Sequence, residues 1–159
     1  MTAPTLRALR RSDAAAMVGV LADPALYEAT GGEPPTLAAL TAQYDMQERG
    51  ISPAGDERWI NELVLVSGEP VGYVQATVPI AGGAAEIAWV IGVPWQRRGL
   101  ATRAGALLLE RLRAEGVERV RAHILPGHVP SERVAARLGL VLTGEVVDGE
   151  QRWETQLGA

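Results

Sequence analysis

Alternation of apolar and polar side chains predicts a strand at the start of the chain, followed by two helices. Residues 5–9 alternate in this way, as expected for a half-buried strand. Ser12 stands where the N-cap of a first helix would lie. The apolar face of that helix would consist of Met17, Val18 and Leu21. A second helix is predicted after Thr36, with apolar residues at helical spacing: Leu37, Leu40 and Tyr44.

The apolar period changes to that of strands in the middle of the chain. Residues 63–66 and 71–78 are predicted to form a β-hairpin around a turn at 67–70, a Ser-Gly-Glu-Pro segment. Residues 85–93, which follow a pair of glycines, are rich in apolar side chains and add a further strand. Three strands are therefore expected in succession.

Helices and strands alternate again in the last third of the chain. Residues 99–115 are predicted to form a helix that Gly116 ends. Its apolar stripe would consist of Leu100, Ala104, Leu107, Leu108 and Leu112. A strand at 119–125 and a helix at 130–138 follow, and two last strands flank a hairpin turn at 148–149.

The resulting order of elements, β-α-α-β-β-β-α-β-α-β-β, favours one class of fold. Hairpins give antiparallel pairs, whereas the single β-α-β unit in the second half requires one parallel crossover. The fold class is therefore α/β of the mixed α+β kind, with one mixed sheet flanked by helices. A chain of 159 residues can bury one substantial core, so we expect a single domain over residues 1–159.

Composition excludes several functions. The formal charge of −4 argues against nucleic-acid binding, which requires an excess of clustered basic residues. No cysteine is present, so the chain has no disulfide, no thiolate metal site and no cysteine nucleophile that could carry an acyl group. Neither a signal peptide nor a membrane span is evident in the sequence. We expect a cytoplasmic protein without a membrane or metal partner.

The strand–loop–helix segment from Glu86 to Leu112 carries the clearest chemistry. A glycine-bearing turn leads from the strand directly into a helix, and the unpaired amides of a helix start favour a bound phosphate. Gly99 would let the backbone approach such an anion closely. The loop lacks the Gly-Lys-Ser/Thr end of a P-loop and the G-x-G-x-x-G pattern of dinucleotide folds. ATP and NAD are therefore disfavoured.

Gln96-x-x-Gly99-x-Ala101 resembles the Q/R-x-x-G-x-G/A signature of the GNAT superfamily of N-acyltransferases. Its setting between a strand and a helix strengthens the resemblance, as do three further segments. Residues 137–140, Arg-Leu-Gly-Leu, resemble the family's K-L-G-F element, and residues 71–73 resemble its x-V-G-x strand. Residues 128–131, His-Val-Pro-Ser, resemble the N-x-x-S element of the branch that contains ribosomal-protein N-terminal acetyltransferases, with His128 in place of asparagine.

This resemblance implies a GNAT-like fold with about seven mostly antiparallel strands, and acetyl-CoA as acyl donor without a metal. It implies that Trp89, Val90 and Ile91 offer backbone groups to the pantetheine arm. The pyrophosphate loop would consist of Gln96, Arg97, Arg98, Gly99, Leu100, Ala101 and Thr102. His128 would stand at a further cofactor contact.

Three residues are candidates for proton transfer. Glu86 could act as a base directly or through water, although it could equally mark a solvated strand end. His123, at a position where some relatives have a catalytic glutamate, could be a base near neutral pH, but a lone histidine in a strand is more often structural. Ser131 could protonate the leaving thiolate or contact pantetheine, or only open its helix. Ala135 and Ala136 occupy the positions where many relatives have a tyrosine that acts as the general acid.

The leading interpretation is an N-acetyltransferase that moves the acetyl group of acetyl-CoA directly to a primary amine, either a small molecule or a protein N-terminus. The first half of the chain, which resembles the family least, would form the acceptor pocket, and a homodimer partner could contribute to it. A non-catalytic acyl-CoA-binding or sensing module is one alternative. A plain interaction domain, in which the loop is only a tight turn, is another.

Overall fold

The computed structural model describes residues 2–158, and the order of its elements is the order predicted from the sequence. The strands are β1 (Thr5–Ala8), β2 (Glu57–Val66), β3 (Glu69–Pro79), β4 (Ala85–Ile91), β5 (Arg119–Ile124), β6 (Val141–Val147) and β7 (Glu150–Gln156). The helices are α1 (Ala14–Val20), α2 (Leu37–Gln47), α3 (Leu100–Ala114) and α4 (Val129–Arg137). The predicted domain also includes Met1 and Ala159, which lie outside the described residues.

The strands form one mixed sheet, which confirms the predicted fold class. Within residues 2–158 the seven strands lie in the order β1-β2-β3-β4-β5-β7-β6. Neighbours are antiparallel except β4 and β5, which are parallel and joined through α3. A parallel pair needs such a crossover, because the chain must return to the same end of the sheet.

Strands β4 and β5 are paired with each other over only a short distance. Ala85 pairs with Val120 and Glu86 with Arg121, and these are the two register pairs between β4 and β5 in the described chain. The later residues of β4 stay paired with β3, as far as Ile91 opposite Gly72. The sheet therefore parts between the C-terminal halves of β4 and β5.

Two apolar cores lie on opposite faces of the sheet. The larger core joins the sheet to α3 and α4, and its fully buried side chains include Leu108, Leu112 and Val120. The smaller core joins the other face to α1 and α2 and contains Met17 and Leu40. Full burial of such a side chain contributes about 1.5–3 kcal/mol, so these faces hold the helices against the sheet.

The C-terminal turn of α4 explains the Arg-Leu-Gly-Leu segment in structural terms. Gly139 N donates to the carbonyl of Ala136 at 3.0 Å and Leu140 N to that of Ala135 at 2.9 Å. These two bonds form a Schellman motif, which satisfies carbonyls that the helix leaves unpaired. Leu140 is 2% exposed and enters the larger core. The segment therefore fixes the end of α4 against the sheet.

Four local predictions were wrong, one of them the apolar position of Leu37, which is 52% exposed at the start of α2. The first helix begins at Ala14, because Ser12 lies in a 3-10 turn and the Asp13 carboxylate accepts the Arg10 amide at 2.7 Å. The turn between β2 and β3 consists of Ser67 and Gly68, both with positive φ, and so is two residues shorter than predicted. Leu107 is 37% exposed, because α3 turns it away from the sheet.

Gly72 is required by the close approach of β3 and β4, which gives a testable prediction. A Cβ atom there would lie 2.2 Å from the carbonyl oxygen of Val90 and 2.9 Å from Cα of Ile91, both backbone atoms that cannot rotate away. We predict that Gly72→Ala lowers the free energy of unfolding by about 1–3 kcal/mol through overpacking. Urea denaturation followed by circular dichroism measures the change.

Gly19 provides the matched control. It lies exposed in α1, and a Cβ atom added there would have no neighbouring atom within 4 Å, so Gly19→Ala should raise the free energy of unfolding by about 0.5–1 kcal/mol. Equal effects of the two substitutions would contradict the steric explanation.

Candidate active site

The parted strands open into a large cleft. Its volume is about 1270 Å³, and its walls come from β3, β4, β5, α2 and the starts of α3 and α4. All but one of the residues proposed from the sequence line it: Glu86, Trp89, Val90, Ile91, Gln96, Arg97, Gly99, Leu100, Ala101, Thr102, His123, His128 and Ser131. The folded chain therefore brings together groups from three separate segments.

The loop before α3 has the backbone geometry of an anion site. Gly99 is the N-cap of α3, with φ +75° and ψ 12°, and Leu100 after it is helical. A left-handed residue followed by a helical one directs successive amides toward a common point. The hydrogen bond from Arg103 N to Gly99 O, at 3.1 Å, closes the first helical turn. The amides before Arg103 therefore precede the intrahelical pattern and can take a phosphate oxygen.

Side chains hold this loop in place. Gln96 Nε2 donates to the carbonyl of Ile91 at 2.9 Å, which ties the loop to the end of β4. Arg97 has a φ of +65°, so the chain turns sharply before the helix. Arg98 lies outside the lining of the cleft, and its Nη2 donates to the carbonyl of Pro94 at 3.3 Å. Gln96 and Arg98 thus shape the loop through backbone contacts.

Glu86 and His123 form a close pair at the point where the strands part. Glu86 lies opposite Arg121 in the parallel register, and His123 is two residues further on the same face. Glu86 Oε1 lies 2.5 Å from His123 Nδ1, and Arg121 Nε lies 3.6 Å from Glu86 Oε2. The carboxylate side chain is 39% exposed and the imidazole 17%. The sequence singled out both residues but not their contact.

A third residue selects the tautomer of the neutral imidazole. Arg152 on β7 lies opposite His123, and its Nε donates to His123 Nε2 at 3.3 Å. Arg152 also pairs with Glu145, which orients its guanidinium group. Because Nε2 accepts a hydrogen bond, neutral His123 carries its proton on Nδ1 and donates it to Glu86.

Polar groups on the α2 side of the cleft were missed by the sequence analysis. The chain's three tyrosines, Tyr27, Tyr44 and Tyr73, all line this part of the cleft. Burial raises the pKa of Tyr73 to about 12, so its hydroxyl stays protonated at neutral pH. Carboxamides from several elements join them: Gln43, Gln47, Asn61 and Gln75. Asn61 lies opposite Gln75 in the β2–β3 register, and strand alternation alone could have placed these two on one face.

Two absences apply to residues 2–158. No cluster of three or more histidine or acidic residues there is arranged to hold a metal ion. No helix in the same range has the length and apolar character needed to cross a membrane.

A mixed sheet that parts beside a helix start with free amides suits an extended ligand that carries phosphate, as acyl-CoA does. Among models of protein families, the one described as Acetyltransferase (GNAT) domain matches residues 5–141. The chain therefore belongs to the GNAT acetyltransferase family, whose members are acetyl-CoA-dependent acetyltransferases. Among curated protein sequences, none matches the chain significantly.

Solved structures share the fold at low sequence identity. RimL, a ribosomal L7/L12 alpha-N-protein acetyltransferase in complex with coenzyme A, is 18% identical with a TM-score of 0.82, over 98% of this chain and 95% of its own. The aminoglycoside acetyltransferase AAC(6')-Ib in complex with coenzyme A is 23% identical with a TM-score of 0.79, over 97% and 95%. An acetyltransferase from Thermus thermophilus is 23% identical with a TM-score of 0.76, over 98% and 99%. The branch within the family is not resolved by these matches.

The conformation of Gly99 gives a prediction for cofactor binding. A β-branched residue at its positive φ is strained, so Gly99→Val should turn the amides of the loop away from a common point. We expect affinity for coenzyme A to fall at least about tenfold, because each charge-assisted hydrogen bond contributes about 1.5–3 kcal/mol. Isothermal titration calorimetry measures the dissociation constant.

Gly116→Val is the control, because it introduces the same backbone strain at a position outside the cofactor loop. Gly116 has a φ of +87° and follows the opposite end of α3, away from the lining of the cleft. This variant should lose stability yet keep its affinity for coenzyme A. Equal loss of affinity in both variants would contradict a role for the loop.

Proposed function

We propose that the chain transfers the acetyl group of acetyl-CoA directly to a primary amine, with Glu86 as the general base. The observation that carries this proposal is the shared cleft, which joins the amide-bearing loop before α3 to the Glu86–His123 pair. A binding site for the donor alone would not need a hydrogen-bonded carboxylate–imidazole pair at the point where the strands part. Direct transfer also agrees with the absence of cysteine from the sequence.

The residues of the cofactor side fit acetyl-CoA. The amides from Arg97 to Thr102 would hold the pyrophosphate, and the free edge of β4 at Trp89, Val90 and Ile91 would pair with the pantetheine arm. Cationic side chains in the cleft lie on this side: Arg97, Arg133 and Arg137. Bound acetyl-CoA supplies an electrophilic thioester carbonyl and a thiolate leaving group. His128, at the N-cap of α4, would stand at the edge of this half.

Glu86 has the better geometry for a base than His123. The Nε2 atom of His123 accepts from Arg152 and its Nδ1–H donates to Glu86, so the neutral imidazole has no free lone pair. The carboxylate of Glu86 accepts from His123 through Oε1, and its Oε2 lies 3.6 Å from Arg121 Nε. It lines the cleft and can take the proton that the acceptor nitrogen must lose for the neutral amine to attack, directly or through water. His123 is therefore a positioning residue for Glu86, and Arg152 holds His123.

Ser131 is the candidate to donate a proton to the departing thiolate. It lies in the first turn of α4 and lines the same cleft. Ala135, one turn further along α4, is fully buried and cannot take this role. In the proposed reaction the neutral amine nitrogen forms a bond to the carbonyl carbon and the carbon–sulfur bond breaks. Glu86 receives the amine's proton and releases it to solvent, while the sulfur takes a proton from solvent, directly or relayed through the Ser131 hydroxyl, which ends unchanged.

Primary amines of two kinds are associated with the structural neighbours. Structures of AAC(6')-Ib contain aminoglycosides, among them kanamycin and ribostamycin, and RimL is named for the alpha-amino group of a ribosomal protein. Both kinds carry the nucleophile that the proposed mechanism needs. They support a primary amine as acceptor without choosing between them.

A non-catalytic acyl-CoA-binding module is the second candidate. It is favoured by the alanines at the position where many relatives have a tyrosine that acts as general acid, and by His128 at the position of an asparagine.

Three further expectations stay predictions: one domain over residues 1–159, a cytoplasmic location and a homodimer.

Release of free thiol from acetyl-CoA tests transfer against mere binding. We predict thiol release that depends on added amine, in a panel of aminoglycosides, small amines and N-terminal peptides. Tight binding of coenzyme A with no amine-dependent release would favour the binding module. No binding at millimolar coenzyme A would remove both functions.

Substitution of Glu86 tests the assignment of the base. Glu86→Gln should lower kcat by about 10²–10⁴-fold, because a positioned general base contributes a factor of this size. The dissociation constant of coenzyme A should stay unchanged, since Glu86 lies outside the pyrophosphate loop. Steady-state kinetics with the best amine, together with calorimetry, measures both quantities.

Glu154→Gln is the matched control, because Glu154 lies on β7 opposite Arg121 but does not line the cleft. It should keep the kcat of the unmodified protein. A kcat for Glu86→Gln within about twofold of the unmodified enzyme would remove Glu86 as the base.

A further inference from the structure

The wall of the cleft that α2 forms contains two polar atoms without partners. Tyr44 is 2% exposed, and its hydroxyl is buried with no hydrogen-bond partner among residues 2–158. The Oε1 atom of Gln47 is buried and unpartnered in the same way. The two residues are three positions apart on α2, so they share one face of the helix, and both line the cleft.

Such atoms need an explanation, because nearly all buried polar groups in folded proteins have a hydrogen-bond partner. Tyr27 shows the usual arrangement in the same region, since its hydroxyl donates to the carbonyl of Leu21 at 2.9 Å. The Tyr44 hydroxyl and Gln47 Oε1 together offer one donor and two acceptor atoms. A ligand hydroxyl has the chemistry to serve either residue, since it can accept from the Tyr44 hydroxyl or donate to Gln47 Oε1. An amide or ammonium N–H can donate to either oxygen.

The charges around this wall restrict the acceptor further. The arginines that line the cleft lie in the loop before α3 or in α4, on the cofactor side. Arg7 on β1 is held by the carboxylate of Asp13, with two hydrogen bonds of 2.8 and 3.1 Å. We define the acceptor half of the cleft as the part walled by α2, β3, the start of β4 and the segment before α2. Its carboxylates are Glu33 and Glu86, whereas Glu150, which also lines the cleft, lies at the start of β7 beyond β5. A carboxylate on the acceptor would therefore meet repulsion, because within residues 2–158 no arginine lines this half of the cleft and the nearby Arg121 pairs with Glu86.

We propose that Tyr44 and Gln47 form an acceptor subsite for a primary amine that carries a neutral hydroxyl or amide group and no carboxylate beside its amine. The inference rests on the proposed acetyl transfer and specifies the chemical class of its acceptor. Asn61 and Gln75, which face each other across β2 and β3, extend the same neutral, hydrogen-bonding surface. Amino sugars and protein N-termini share this chemistry, and free amino acids do not.

Two pairs of compounds test the acceptor class with the full-length protein. L-serinamide and L-serine have the same hydroxyl and differ in the carboxylate, which also makes the amine of serine more basic. At a pH at which both amines are mostly neutral, kcat/KM should therefore still be at least about tenfold higher for the amide. Kanamycin and a tetrapeptide amide that begins with serine form the second pair. Whichever is acetylated with the higher kcat/KM shows whether the acceptor is an amino sugar or a protein N-terminus. Equal or faster acetylation of serine would overturn the proposal. No thiol release with any of the four amines removes the proposed transfer itself, and the subsite with it.

Tyr44→Phe tests the subsite through two independent measurements. It removes an unpartnered hydroxyl and keeps the ring, so Tm should stay unchanged or rise, while KM for the better acceptor should rise about 3- to 10-fold. KM for acetyl-CoA should not change. Tyr27→Phe is the control for stability: it removes a partnered hydroxyl and should lower Tm by about 2–4 °C.

The proposal requires both results for Tyr44→Phe, an undiminished Tm and a raised acceptor KM. A fall in Tm equal to that of Tyr27→Phe would show that the hydroxyl has an internal structural partner, and it would overturn the subsite. An unchanged acceptor KM would overturn it as well.

Discussion

The parting of β4 and β5 after two residue pairs is the constraint on which the site depends. Two parallel strands that stayed paired would close the sheet and bury the backbone of β4 between two neighbours. Because β5 turns away, the later half of β4 keeps one strand partner and offers its other edge to the cleft. Gly72 allows β3 to approach β4 closely at this point, so the strand stays in place without support from β5.

The cleft separates two kinds of chemistry along its length. Helix α3 begins on one side, where free amides and arginines suit the phosphates of the donor. Carboxylates, phenols and carboxamides line the other side, whose chemistry suits a neutral or cationic amine. The Glu86–His123 pair stands between the two, at the last position where β4 pairs with β5. In the proposed mechanism, binding of the donor and removal of the acceptor's proton would take place at neighbouring points of one strand.

Short sequence patterns predicted the features that are determined by neighbouring residues in the chain. The order of elements, the helix start at Gly99 and the loop from Gln96 to Ala101 each follow from a short segment, and the GNAT resemblance rested on them. Ser12 was wrong as a cap because Asp13 makes the competing contact with the Arg10 amide. The contact between Glu86 and His123 requires the register of two strands, because the residues are 37 positions apart in the sequence. The tyrosines of the acceptor half come from separate elements, so no spacing relates them.

Nuclear magnetic resonance of the 15N-labelled protein during titration with coenzyme A tests the central claim most directly. The account predicts that the largest changes in amide chemical shift occur in two segments, Gly99 to Thr102 and Trp89 to Ile91, and that they saturate together. Amides of β6, at the far edge of the sheet, should not change. Changes centred outside the cleft, or none in these two segments at saturating ligand, would contradict a donor site between the parted strands and the start of α3.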